Sequence, residues 1–288
     1  MNEMTASAAA TERVPGPPWP FSVAIITLNE EANLPRCLEA VRGLAREIVV
    51  VDSGSHDRTV AIAEEYGARC VVHPWAGNDA QKNVAFGLCR ESWVLGLDAD
   101  EVVSPELAAS IARLFASGEP DRPAYEVSRL VWYLGDWIRH VWYPGWRLRL
   151  ARREGAVWRG GPVHDRLEVE GPVGRLDGDL LHYTYRDFSH HPSQVVRYAS
   201  LGADALAARG VGFRLWHFLL GPPAGVFRQL VVRQGWRDGY RGWLIAGATA
   251  FGVYAKEGFL LERRLVAREA TRRRELTGDR TADPPPRV

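Results

Sequence analysis

Trp93-Val-Leu-Gly-Leu-Asp-Ala-Asp-Glu101 reads as a short apolar strand that ends in two carboxylates one residue apart. Ser104-Pro105-Glu106 follows it, a cap residue and a proline that open a helix. Where a strand of an open α/β sheet ends, the chain leaves the sheet, and Asp98 and Asp100 can both turn toward a ligand cleft and share one divalent cation. The plain alternative is that Asp-x-Asp only closes a strand and prepares a cap. The flanking sequence decides between the two.

Upstream, Phe21-Ser-Val-Ala-Ile-Ile-Thr-Leu28 is too continuously apolar for a half-exposed strand, and Leu34, Cys37, Leu38 and Val41 follow at helical spacing. Glu47-Ile-Val-Val-Val-Asp52 repeats the pattern, with a Ser/Gly/Asp turn and a helix from Val60 to Tyr66 stopped at Gly67. Cys70-Val-Val72 predicts a third strand, Asp79 to Cys89 a helix, and Trp93 to Leu97 a fourth strand. Alternating strands and helices imply a parallel sheet with right-handed crossovers, whose ligands bind at the strands' carboxyl ends. Residues 124 to 185 differ: they hold short alternating runs such as Arg147-Leu-Arg-Leu150 and turns at Pro144-Gly145, Gly160-Gly-Pro162 and Gly171-Pro172. These predict antiparallel strands and loops laid over the sheet. From His191 the pattern returns to helices. Leu215 to Phe227 and Gly242 to Ala255 lack charges, the first broken by Gly221-Pro-Pro223, and both are shorter than the roughly 20 residues that cross a bilayer.

The expected architecture is therefore α/β, a Rossmann-like, mostly parallel sheet with an antiparallel extension and a C-terminal helical, membrane-associating segment. Its parts are a flexible tail (1–20), a sheet domain (21–188), an amphipathic helical region (189–275) and a disordered tail (276–288). With 288 residues, 46% of them hydrophobic, the chain can bury a sizeable core. Cys37, Cys70 and Cys89 form no Cys-x-x-Cys pair and give no disulfide framework or zinc site. The first 20 residues lack a basic start and apolar centre and are not read as a signal peptide. The net charge of +1 hides an asymmetry: residues 1–189 hold 20 Lys and Arg against 27 Asp and Glu, and residues 190–288 hold 16 against 8. The basic part should face an anionic partner, and Arg228, Arg233, Arg237, Arg241 and Lys256 beside short apolar, aromatic-rimmed helices suit an anionic membrane surface. The alternative is a helical hairpin packed on the sheet or on another subunit.

The other strand ends also carry polar groups: Thr27-Leu-Asn-Glu-Glu31 after the first and Val51-Asp-Ser-Gly-Ser-His-Asp-Arg-Thr59 after the second. A carboxylate there accepts hydrogen bonds from a ribose or base edge, which makes Asp52 a nucleotide-contact candidate; its alternative is a turn-former. Together with Gln81-Lys-Asn83 and Asp98-Ala-Asp-Glu101, in this order, these motifs resemble the glycosyltransferases of family 2, with the GT-A fold. Tyr143-Pro-Gly-Trp-Arg147, Val163-His-Asp165 and Leu181-His-Tyr183 resemble, more loosely, the lipopolysaccharide-core β-1,4-glucosyltransferase group of that family. The resemblance implies that Asp52 contacts the base of a nucleotide sugar, with Thr27, Asn29, Glu30 and Ser53 in the same pocket. Lys82, Asn83 and Arg147 would lie near the donor. It also implies that Asp100 holds Mg2+ or Mn2+ on the diphosphate and that Asp98 contacts the ribose or a metal-bound water. No Gly-x-Gly-x-x-Gly or Walker loop follows the first strand, which removes support from dinucleotide and P-loop readings.

Inversion at an anomeric carbon needs a base for the acceptor hydroxyl proton. Asp165, which stands where the resembled group has Glu, is the candidate; Asp136 and Glu101 remain open. His164 and His182 are weighed as diphosphate or metal contacts but read first as structural. Arg147 and Arg149 share a strand face and meet either phosphate or solvent, and Trp132, Trp137, Trp142 and Trp146 are read mostly as core. The expected activity is an inverting, metal-dependent transfer from a UDP-sugar or other nucleotide sugar to a glycolipid or lipid-linked glycan, at the cytoplasmic face of the inner membrane. A sugar nucleotidyltransferase and a non-catalytic carbohydrate- or membrane-binding scaffold are the alternatives. No nucleic-acid partner is expected, and an oligomer is left open.

Overall fold

A computed structural model describes Gly16, residues 18–160, 165–185 and 187–277, without the side chains of 274–277. Of the tails expected at 1–20 and 276–288, Trp19 and Pro20 belong to the first strand and 276–277 to the last helix, while 1–15, 17 and 278–288, like His164, lie outside the described residues. The chain divides into two compact units. One runs up to Trp132 and resumes over Trp142–Thr184; the other comprises Tyr133–Val141 and the chain from Tyr185 onward. The boundary expected at residue 188 thus falls four residues earlier, and a short excursion at 133–141 belongs with the later helices.

In the first unit the elements are β1 (Trp19–Thr27), α1 (Leu34–Val41), β2 (Ala45–Asp52), α2 (Thr59–Glu65), β3 (Arg69–Val72), α3 (Asn78–Leu88), β4 (Trp93–Asp98), β5 (Glu101–Val103) and α4 (Pro105–Ala116). Then come β6 (Ala124–Tyr133), whose last residue opens the other unit, β7 (Asp136–Ile138) within it, and, back in the first unit, β8 (Arg147–Arg152), β9 (Val157–Arg159), β10 (Arg166–Glu168) and β11 (Val173–His182). The main sheet runs β3-β2-β1-β4-β8-β6-β11-β5. Its first four strands are parallel, as the alternating pattern predicts. β8 is antiparallel to both β4 and β6. β11, expected to be antiparallel like the rest of the extension, runs parallel to β6. About forty residues separate the two strands, enough chain for the crossover that a parallel pair needs.

The continuous apolar run of β1 is explained by burial on both faces. Phe21, Val23 and Ile25 pack with Leu34, Leu38, Leu107 and Ile111 of α1 and α4, while Ala24 packs with Ala85 and Phe86 of α3 and with Trp158 of β9. Gly96 in β4 leaves room for that second layer, because a Cβ there would lie 2.9 Å from the Trp158 ring and 3.0 Å from Phe86. Ser104 caps α4 by accepting from Leu107 N at 3.2 Å. The same hydroxyl accepts from Asp179 N at 3.2 Å, at a bulge in β11. At that bulge Gly178 has φ +91°, and a Cβ would overlap the Leu107 backbone nitrogen.

The second unit holds α5 (His190–Ala208), α6 (Leu215–Phe227), a π-helical turn at Arg228–Val232, a 3-10 turn at Gly235–Asp238 and α7 (Tyr240–Thr277). Two expectations are corrected here. α6 continues through Pro222 and Pro223, because Gly221 and Gly225 let it lie directly on Val253, Thr249 and Ala250 of α7. The charge-free run at 242–255 is part of a 38-residue helix, since Lys256 and Glu257 continue it rather than end it. Its Tyr240–Arg273 stretch is long and apolar enough, by length and composition, to cross a membrane. The short strand tip is tied into this unit by Asp238, which accepts from the backbone nitrogens of Arg139, His140 and Val141 at 3.0–3.2 Å and from His140 Nδ1 at 2.7 Å.

Gly178→Ala should destabilise the chain by about 2–4 kcal/mol through backbone strain and overlap with α4. Urea unfolding checks this, and an unchanged midpoint would show that the bulge is not held as described.

Candidate active site

The register brings the polar strand ends into one row. Thr27 of β1 pairs with Asp52 of β2, and Ile26 of β1 pairs with Asp98 of β4. Asp52 and Asp98 are thus two strand spacings apart, about 10 Å. α3 serves both: Gln81 Nε2 donates to Ser53 Oγ at 3.0 Å, and the next residue, Lys82, reaches Asp98.

Around β1 and β2 the polar groups bind one another. Asp52 is fully buried, and its carboxylate accepts from Thr27 Oγ1 (2.8 Å), Gly54 N (2.9 Å), Ser55 N (2.7 Å) and Ser55 Oγ (2.5 Å). In this conformation Asp52 is the turn-former; a contact with a base would require that turn to open. Asn29, with φ +54°, donates through its backbone N to Ser55 Oγ and accepts from His56 N. Glu30 N donates to Thr59 Oγ1 at 2.8 Å, and its carboxylate accepts from Asn33. These contacts stitch the two loops together.

The end of β4 is a cluster of charges. Lys82 Nζ lies 2.7 Å from Asp98 Oδ1 and 2.6 Å from Asp165 Oδ2, with its ammonium 4.6 Å from the centre of the Trp158 ring. Asn83, one residue on, spends its side-chain amide on Trp158, donating to its carbonyl and accepting from its N at 2.9 Å each, so it positions the ring. Arg149 lies 3.1 Å from Asp98 Oδ2 and 2.5 Å from Glu101 Oε1. Burial pushes the Asp98 carboxyl up, but Lys82 and Arg149 outweigh it and hold the group well below the ordinary carboxylate range. Burial opposes charge on Arg149 too, and Glu101 and Asp98 more than restore it. Cys37, buried under the strand ends, has its thiol pushed up by burial and then by Glu101, Asp100 and Asp98.

Asp100 differs from its neighbours. Among the described residues its one ion-pair partner is His182, whose Nε2 is 3.2 Å from Oδ2. The β5–β11 pairing sets His182 opposite Glu101, and Tyr183 N donates to Asp100 O at 2.9 Å. Among the described residues no group of three or more His, Cys, Asp or Glu is arranged to hold a metal by itself. A carboxylate with one imidazole beside it instead fits a hard cation that takes its remaining ligands from substrate phosphates and water. Arg147 supplies positive charge nearby; burial, Arg129 and Arg149 lower its pKa, and Glu101 and Asp165 oppose them.

Some expectations change. Glu101 is fully buried against Arg149 and cannot take a proton from an acceptor, and Asp136 belongs to the second unit, where it pairs with Arg241 at 3.5 Å. Trp132, Trp137, Trp142 and Trp146 are only half-buried; the buried tryptophans are Trp93 and Trp158. Glu101, weighed as a base, and Arg149, weighed as a phosphate contact, instead pair with each other, and Trp158 was not singled out by the sequence. The Arg-Leu-Arg-Leu alternation showed that Arg147 and Arg149 share a face, and nothing in Val157-Trp-Arg159 marked its indole as the support of a lysine.

The profile of glycosyl transferase family 2 matches residues 22–168. The chain belongs to this family. A relative described as a lipopolysaccharide core biosynthesis glycosyltransferase, LpsC of Rhizobium meliloti (strain 1021), is 32% identical over 272 residues, covering 91% of this chain and 98% of the relative. An uncharacterized glycosyltransferase of Rickettsia felis is 30% identical over 276 residues, covering 89% and 95%. Glucosyl-3-phosphoglycerate synthase of Mycobacterium tuberculosis, crystallised with Mn2+, UDP and glucosyl-3-phosphoglycerate, is 18% identical with a TM-score of 0.44, covering 67% of this chain and 81% of that one. The chain is thus a family 2 glycosyltransferase built on a mixed α/β sheet.

Two outcomes check the charge cluster. Arg149→Met strands Glu101 without its partner and should cost about 3–5 kcal/mol in urea unfolding, part of which Glu101→Gln restores; a midpoint equal to wild type contradicts the pairing. Because the Asp98 pKa is depressed in the folded state, its ion pairs contribute stability that is full above the unfolded value near 4 and lost as pH falls below it. Acid titration of Tm should therefore be flatter in Asp98→Asn than in wild type, and a parallel pair of curves contradicts the shift.

Proposed function

We propose that the chain is an inverting, metal-dependent hexosyltransferase, moving a sugar from a nucleotide-diphosphate donor, preferably a UDP-sugar, to a membrane-linked glycan such as a lipopolysaccharide core or lipid-linked oligosaccharide. The observation that carries this reading is the row of contacts from Asp98 through Lys82 to Asp165, with Asp100 and His182 at the neighbouring strand ends. The lipopolysaccharide-core relative supports the acceptor class and, with it, a place at the cytoplasmic face of the inner membrane. The nucleotidyltransferase alternative has no support from the family, and an intact charge cluster speaks against a scaffold without turnover.

Asp100, with His182 beside it, would hold Mg2+ or Mn2+, and the bound ion would neutralise charge growing on the departing diphosphate. Lys82 and Arg147 add positive charge for the same anion. Thr27, Asn29, Glu30, Asp52 and Ser53 shape the loops against which the nucleoside rests, and Asn83 fixes Trp158 beneath Lys82. In the transfer, the acceptor oxygen bonds to the anomeric carbon as the bond from that carbon to the diphosphate oxygen breaks. The hydroxyl proton passes to the Asp165 carboxylate. Lys82 must give up part of its hold on Asp165 when the diphosphate attracts it, so donor binding prepares the base.

Isothermal titration with UDP should show binding that strengthens with Mn2+, and Asp100→Asn should lose that dependence and lower transfer about 100-fold or more with its Tm unchanged. Metal-blind nucleotide binding, or an active Asp100→Asn, overturns the metal role. Asp165→Asn should lower kcat about 100-fold or more while leaving donor Kd in place; loss of donor binding instead removes Asp165 from the role of base.

A further inference from the structure

Within the second unit, α6 and α7 enclose a groove of about 730 Å³, a volume suited to one ligand of lipid or cofactor size. Leu220, Ala224 and Val253 give it apolar walls, and Arg214, His217 and Arg228 supply its polar groups. Residues 215–256 carry Arg228, Arg233, Arg237, Arg241 and Lys256 against one acid, Asp238. That acid is consumed by three backbone N–H groups and His140. The next, Glu257, is fully buried and accepts from Arg214 N at 3.0 Å and His217 Nδ1 at 2.6 Å. Arg228 is exposed and makes no ion pair among the described residues. Large apolar side chains stand out around it: Trp216 is 74% exposed, Leu220 59% and Phe227 60%. The Arg214 guanidinium lies 3.6 Å from Glu257 Oε1, which leaves Arg228 as the lining guanidinium that no acid opposes among the described residues. Such charge beside an apolar trough is complementary to a molecule with a phosphate at one end and hydrocarbon at the other, and a soluble phosphate or sugar would leave the trough unfilled.

We propose that this groove binds one anionic phospholipid of the bilayer, its phosphate at Arg228 and Arg214 and its acyl chain along Leu220, Ala224 and Val253. The site rests on the membrane part of the reading above and deepens it: the enzyme holds a particular lipid as well as a charged surface. An individual lipid so held would orient the helices at the membrane, where a diffuse electrostatic attraction would not.

The test uses the full chain in mild detergent, with native mass spectrometry in the presence of phosphatidylglycerol or phosphatidylcholine, alongside flotation with phosphatidylglycerol vesicles. Wild type should float and should retain one phosphatidylglycerol and no phosphatidylcholine, unaffected by millimolar inorganic phosphate. Ala224→Trp, which fills the groove without changing charge, should still float yet lose the retained lipid, and Arg228→Gln should weaken retention at least tenfold. Failure of wild type to float overturns the membrane reading and the site together. Flotation without a retained lipid, retention unchanged in both variants, displacement by inorganic phosphate, or a dimer of wild type that Ala224→Trp dissolves would overturn the site alone.

Discussion

Lys82 and Arg149 each hold two carboxylates, and the arrangement of the polar sheet edge depends on them. Four acidic groups, Asp98, Asp100, Glu101 and Asp165, gather around the end of β4, and unscreened they would repel one another strongly in a partly buried site. The ammonium bridges Asp98 to Asp165 and the guanidinium bridges Asp98 to Glu101, which leaves Asp100 as the carboxylate without a lysine or arginine among the described ion pairs. This division is what the proposed role asks for: some acids are neutralised by the protein's own cations, and one is left to meet the ion that would come with a diphosphate.

The packing beneath follows from the same requirement. Lys82 is only 6% exposed, and its ammonium rests on Trp158. The indole in turn fits because β4 carries Gly96 and because Asn83 clamps its backbone on both sides. A chain of small decisions, a glycine in a buried strand and an amide on a helix, thus ends in the placement of one positive charge. On the other side of Asp98, full burial of Glu101 is tolerated because Arg149 lies on the facing strand β8, which pairs with β4. The antiparallel extension therefore completes the site as well as widening the sheet.

Much of this was legible in the sequence, for reasons that can be named. Phe21 to Ile26 announced a strand covered on both faces, Ser104-Pro105 announced the start of α4, and Asp98-Ala-Asp100 after an apolar run announced the end of β4. What stayed hidden depends on partners distant in the chain. Asp52 offers the same residue type to a ligand or to its own turn, and only the loop geometry shows the turn. Arg147 and Arg149 are alike in sequence, but only Arg149 meets buried acids. Pro222-Pro223 looked like a break and is not one, because glycines let α6 press against α7; the run at 242–255 looked too short because its continuation is polar rather than non-helical.

The most direct test of the central claim is the position of manganese in crystals soaked with UDP and Mn2+, read from anomalous scattering at the metal's absorption edge. The account predicts a peak at first-coordination distance, about 2 Å, from an Asp100 carboxylate oxygen and bridging to the diphosphate, with Asp98 still on Arg149. A nucleotide bound with manganese elsewhere, or with Asp98 and Glu101 as its ligands in place of Asp100, would contradict it.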